Sequence, residues 1–124
     1  MPRTIVIDDD PGIRRAVAAH LRGAGHVVEL AASGREALDL LKAAPADLVI
    51  TDINMPDMDG IEVIMALRDQ SPDVPIIAIS GGGLFPPDLL LANAELLGVV
   101  ESLVKPFEAS ELLGAVSRAL GVAR

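Results

Sequence analysis

At 124 residues the chain has the length of one domain, and 51% hydrophobic residues are ample for a single buried core. A formal charge of −8, with no basic cluster larger than Arg14-Arg15, argues against nucleic acid or an acidic membrane as a direct partner. There is no cysteine, which removes disulfides, thiolate metal sites and thiol nucleophiles together. The first ten residues do not form a signal peptide, since the apolar run Ile5-Val6-Ile7 ends in three acids. No unbroken apolar stretch approaches the about 20 residues that span a bilayer, so a cytoplasmic protein is expected.

In chain order, short apolar runs alternate with helical patterns. Ile5-Val6-Ile7 reads as a strand buried on both faces. A helix then opens with Asp10 as N-cap and Pro11 at its first position; Ile13, Val17 and Leu21 face inward, and Gly23 and Gly25 end it. His26 to Leu30 is the second run. Ser33 and Glu36 have the spacing of a capping box for the second helix, in which Leu38 and Leu41 face inward and Pro45 closes. Leu48-Val49-Ile50 is the third run, followed by a helix from about Gly60 to Gln70 with Ile61, Ile64 and Leu67 inward. Ile76 to Ile79 is the fourth. A fourth helix is expected from near Pro87, carrying Leu90, Leu91, Ala94 and Leu97. Val99 to Val104 is the fifth run, and a last helix follows Phe107 with Leu112, Val116 and Leu120 inward.

Five βα units in one chain imply an α/β domain, a doubly wound parallel sheet with helices on both faces, because the crossovers are right-handed. No linker, repeat or low-complexity tract interrupts residues 1–124, read here as one domain. Ligands of such sheets bind at the carboxyl ends of the strands, so the residues just after each run carry the functional argument.

Those residues are Asp8, Asp9 and Asp10 after the first run, Asp52 after the third, Ser80 after the fourth and Lys105 after the fifth. Taken singly, each has a plain explanation: Asp10 as an N-cap, Asp52 as a loop acid, Ser80 as a turn hydroxyl, Lys105 as a solvated amine. Together they fall at the carboxyl ends of predicted strands. Converging carboxylates repel one another, and a hard divalent cation such as Mg²⁺ resolves the repulsion with oxygen ligands. A carboxylate nucleophile at Asp52, with Lys105 and Ser80 to meet phosphoryl oxygens, then makes phosphoryl transfer the fitting chemistry.

The stretches Ile5 to Pro11, Asp47 to Gly60, Ile79-Ser80 and Val104 to Phe107 resemble the receiver domain of two-component response regulators, over nearly the whole chain. The resemblance implies a flavodoxin-like fold with strand order 2-1-3-4-5. It implies Asp52 as phosphoacceptor, Asp9 as direct metal ligand, Asp8 as ligand largely through water, and Asn54 as ligand through its backbone carbonyl. It makes Ser80 the switch hydroxyl and Lys105 the phosphoryl contact, with a cis Lys105-Pro106 bond. The implied partners are a sensor histidine kinase or histidine phosphotransferase, docking by the first helix around Arg14 and Ala18, and a target protein on the fourth-helix and fifth-strand face. A monomer or weak homodimer is expected, and a phosphoacceptor rather than an enzyme. With no output domain in the sequence, a stand-alone receiver is expected.

Two departures stand out. The family commonly has Tyr or Phe three residues before the lysine; here Ser102 stands there, and Phe85 and Phe107 are the only aromatics. The run Gly81-Gly82-Gly83-Leu84-Phe85-Pro86-Pro87 is longer than the family norm and lacks the Gly-Lys-Ser/Thr of a phosphate-binding loop. Phe85 is the candidate substitute for the missing ring. Gly82 brings no side chain to shield a phosphoryl group, which implies a short-lived aspartyl phosphate. The missing ring also keeps a second reading in play, a phosphorylation-independent interaction module on the same fold. A phosphatase of the haloacid-dehalogenase type fits poorly, because Gly12 stands where its first motif needs Thr or Val.

Overall fold

In the computed structural model, residues 2–53, 60–80 and 98–121 are described, with Gly60 and Ile61 by backbone alone. Asn54, the glycine-rich run 81–87 and the fourth predicted helix lie outside them. The elements are β1 (Arg3–Ile7), α1 (Pro11–Gly23), β2 (Val27–Ala31), α2 (Gly34–Ala43), β3 (Leu48–Asp52), α3 (Gly60–Gln70), β4 (Ile76–Ser80), β5 (Glu101–Val104) and α4 (Ala109–Ala119), the last being the fifth helix read from the sequence. The five strands form one parallel sheet in the order β2-β1-β3-β4-β5, as expected.

Side chains alternate across a strand, so each apolar run feeds two cores. Ile5, Ile7, Val49, Ile76 and Ala78 meet α2 and α3 through Ala37, Leu41, Val63, Ile64 and Leu67. Val6, Leu48, Ile50, Ile77 and Ile79 meet α1 and α4 through Val17, Leu21, Leu112 and Val116. The three central strands are therefore apolar on both faces, and this is why their sequences run unbroken.

The ends of the elements follow local chemistry. Asp10 caps α1, its Oδ1 accepting from the amides of Gly12 at 2.8 Å and Ile13 at 3.3 Å. The cap of α2 differs in detail from the reciprocal box expected. Ser33 Oγ accepts from Glu36 N at 3.2 Å, but Glu36 Oε2 takes the amide of Ala32, one residue further back. The inward face of α2 is Ala37 and Leu41, with Leu38 only half-buried; small Ala37 lets the helix approach the sheet. The ladder of β2 starts at Val27 rather than His26, and that of β5 at Glu101 rather than Val99.

At the amino end of the sheet, Arg3 gathers several elements. Its Nε meets Glu29 Oε1 of β2 at 2.6 Å, and its Nη atoms donate to the carbonyls of Leu40, Ala44 and Pro45 at the end of α2. Nearby, Nδ1 of His26 lies 3.2 Å from the Oγ1 of buried Thr4.

Ile50 is fully buried, so Ile50→Ala should destabilise the protein by about 2–5 kcal/mol. Urea denaturation followed by circular dichroism measures this. Burial holds His26 below its ordinary value of 6.5. The unfolded chain then takes up the proton first, so stability is intact above pH 6.5 and falls as pH drops below it. The difference in stability between wild type and His26→Gln should shift against the wild type between pH 7.5 and 5.5; a difference independent of pH would contradict this.

Candidate functional site

The carboxyl end of the sheet brings the predicted residues together. Asp8 follows the last paired residue of β1, and its amide donates to Ala31 O of β2 at 3.1 Å. Asp52 ends β3, and Ser80 ends β4. Lys105 follows β5 directly, its amide donating to Ser80 O at 2.8 Å, and the Lys105-Pro106 bond is cis. Asp8 and Asp52 are 1% and 3% exposed, whereas Asp9 faces solvent. One oxygen from each of the three acids lies within 4.8 Å of the others.

Two buried carboxylates so close need a cation, and Lys105 supplies one. Its Nζ lies 2.9 Å from Asp52 Oδ2 and 3.4 Å from Asp8 Oδ2. Burial works against the ammonium, but the hydrogen bond and charge of Asp52, joined by Asp8, outweigh it, and the Lys105 pKa rises. Asp8 is also pushed up, first by burial and further by the Asp52 charge, although the Asp10 amide and Lys105 pull it down. Asp10 N donates to Asp8 Oδ1 at 2.9 Å, so the capping acid also grips its neighbour through its main chain.

Ser80 is fully buried, and its Oγ has no hydrogen-bond partner among the described residues. A buried hydroxyl without a partner is costly, and a site that receives an oxyanion would satisfy it. The donor set fits a hard divalent cation as well: three carboxylates, with no nitrogen or sulfur ligand in the cluster. Asn54, the fourth expected ligand, lies outside the described residues.

From the sequence alone, Arg14 is expected only on the docking side of the first helix. Its Nη1 in fact donates to the main-chain carbonyl of Asp8 at 2.8 Å. A side chain paired with a carbonyl leaves no residue-type pattern; the one available signal was its position six residues after Asp8, on the helix that leaves the acid turn. Ser102, at the position where the family commonly has a ring, is exposed on β5 between Val100 and Val104, which are 50% and 48% exposed.

The description "Response regulator receiver domain" matches residues 4–117, and the chain belongs to this family, whose members act in two-component signal transduction. The response regulator MprA of Mycolicibacterium vanbaalenii is 38% identical over 111 residues, covering 90% of this chain and 47% of that protein. The transcriptional regulatory protein PrrA of Mycobacterium tuberculosis is 37% identical over 96% of this chain and 50% of its own length. This chain thus spans about half the length of these two relatives. Among solved structures, chemotaxis protein CheY4 of Vibrio cholerae superposes with a TM-score of 0.86 at 36% identity, covering 97% of this chain and 99% of that one. The receiver domain of NtrX from Brucella abortus gives a TM-score of 0.89 at 30% identity, covering 97% and 99%. No helix among the described residues is long and apolar enough to cross a membrane.

A carboxyl whose pKa is raised holds its proton more tightly in the folded chain than in the unfolded one. In the metal-free protein the contribution of Asp8 to stability is therefore lost as pH rises from 3.8 through the raised Asp8 value. Asp8→Asn removes that buried charge and keeps an acceptor for Asp10 N. It should melt at a higher temperature than wild type at pH 7 in EDTA, and an unchanged or lower Tm would contradict this.

Proposed function

We propose that this receiver accepts a phosphoryl group from a histidine kinase or histidine phosphotransferase onto Asp52, with Mg²⁺ held by Asp8, Asp9, Asp52 and the backbone carbonyl of Asn54. The observation that carries the reading is Lys105 Nζ at 2.9 Å from the buried Asp52 carboxylate, beside two further acids and a serine hydroxyl with no partner among the described residues. An Asp52 oxygen attacks phosphorus, the bond from phosphorus to the donor's imidazole nitrogen breaks, and the imidazole leaves with a proton. The product is an acyl phosphate on Asp52. When bound, Mg²⁺ supplies charge neutralisation to the phosphoryl oxygens. Lys105 already points its ammonium at Asp52 and donates to a phosphoryl oxygen with a small movement. Ser80 gives its free hydroxyl to another, which links the phosphorylation state to the end of β4. Water later cleaves the acyl phosphate. The chain is thus a phosphoacceptor that assists its own phosphorylation and dephosphorylation, not an enzyme acting on an outside substrate.

A mainly apolar cleft of about 520 Å³ opens beside Lys105, between α1 and the turn into α4, lined by Ile13, Ala16, Val17, His20 and Phe107. Its place next to the acceptor supports the first helix as the docking side for the donor. The expected output is protein contact on the fifth-strand face, where Val100 and Val104 are exposed. A cytoplasmic setting, and a monomer or weak homodimer, go with this reading. CheY4 is matched over nearly its full length and MprA over about half, so the relatives leave both a stand-alone receiver and a receiver joined to an output domain compatible with this site.

Incubation with Mg²⁺ and acetyl phosphate should give one phosphoryl adduct by intact mass. The adduct should disappear in EDTA and in Asp52→Asn, and Lys105→Met should slow its formation about 100-fold. An adduct on Asp52→Asn would refute the assignment. No adduct, together with amide spectra unchanged by beryllofluoride, would replace it with the phosphorylation-independent interaction module.

A further inference from the structure

The acid turn between β1 and α1 must hold Asp8 and Asp9 in place against their mutual repulsion. Besides the longer contact of its Oδ2 with Lys105, Asp8 is held at three points within and around the turn. Its amide donates to Ala31 O at 3.1 Å, its Oδ1 accepts from Asp10 N at 2.9 Å, and its carbonyl accepts from Arg14 Nη1 at 2.8 Å. The first two grips have a main-chain donor, which substitution leaves in place. The third depends on one side chain. The Asp8 carbonyl lies just beyond the last residue of the β1 ladder, in a residue that is 1% exposed. Such a carbonyl needs a donor from elsewhere, and Arg14 reaches back from the first turn of α1 to give it.

We infer that Arg14 is a positioning residue for divalent cation binding: its guanidinium fixes the main chain of Asp8 and so the aim of the Asp8 and Asp9 carboxylates. This rests on the reading of Asp8, Asp9 and Asp52 as the cation site. It goes beyond that reading by giving a role to a residue outside the acid cluster, joined to it through the Asp8 main-chain carbonyl. The sign of the effect separates positioning from charge. A guanidinium beside three acids repels an incoming cation, so if Arg14 acted only as a charge, its removal would tighten Mg²⁺ binding. As a positioning residue, its removal loosens the acids and weakens binding. Arg15 is adjacent and exposed, and supplies the same charge change without the hydrogen bond.

The experiment is a Mg²⁺ titration of the full chain followed by amide NMR spectra, for wild type, Arg14→Gln and Arg15→Gln. Arg14→Gln should raise the Mg²⁺ Kd about tenfold, a size typical for losing an outer-shell partner of a metal ligand. Arg15→Gln should leave Kd unchanged or slightly lower. An Arg14→Gln protein with wild-type or tighter Mg²⁺ binding overturns the inference, even if its Tm falls, because a merely structural role would move Tm alone. Should Arg14→Gln fail to fold, Arg14→Met, which keeps the aliphatic stem, is read by the same criterion. Absence of Mg²⁺ binding in the wild type itself overturns the cation-site reading, and this inference with it.

Discussion

The carboxyl end of this sheet is organised by one requirement: Asp8 and Asp52, both almost fully buried, must be neutralised. Lys105, which follows β5 and lies 97 residues from Asp8 in sequence, offsets one of the two charges and leaves the other for an incoming cation. Its ammonium can serve either carboxylate, and its main chain is held at Ser80 O, so the bridge is anchored on β4 while it spans to β3 and β1. A buried ion group of this kind contributes little net stability, because desolvation offsets the attraction. Its value lies in leaving charges ready to be re-partnered.

The rest of the fold supplies rigidity to that group. Strands that are apolar on both faces lock between two helical layers, and the active side chains sit where each strand emerges from the packing. Side chains at these ends inherit the precision of the sheet while remaining able to meet an outside reactant. The same rule explains why Asp9, one residue further on, is exposed while Asp8 is not.

Much of this was legible in the sequence because parallel strands leave continuous apolar runs, and the residue following each run is easy to read. That logic located Asp8, Asp52, Ser80 and Lys105 on one edge, and the structure brings them there. Other features left weaker marks. Ala37 and Val63 are fully buried, yet small or β-branched helix residues attract less notice than the leucines beside them. The displaced Glu36 cap differs from the expected one by a single amide, below what spacing can resolve. Arg14 was legible as a surface cation only, since its partner is a main-chain carbonyl.

Arg3 gives the opposite end of the sheet a different character. One half-buried guanidinium ties the start of β1 to Glu29 and to three carbonyls at the end of α2, while the Arg3 amide holds Asp47 Oδ2 at 2.7 Å. Those are matched donors and acceptors, with no like charges forced together. The domain is therefore polarised in its charge balance: the Arg3 end pairs its cation with acceptors already in place, whereas the acid end gathers three carboxylates around one ammonium and keeps a surplus of negative charge.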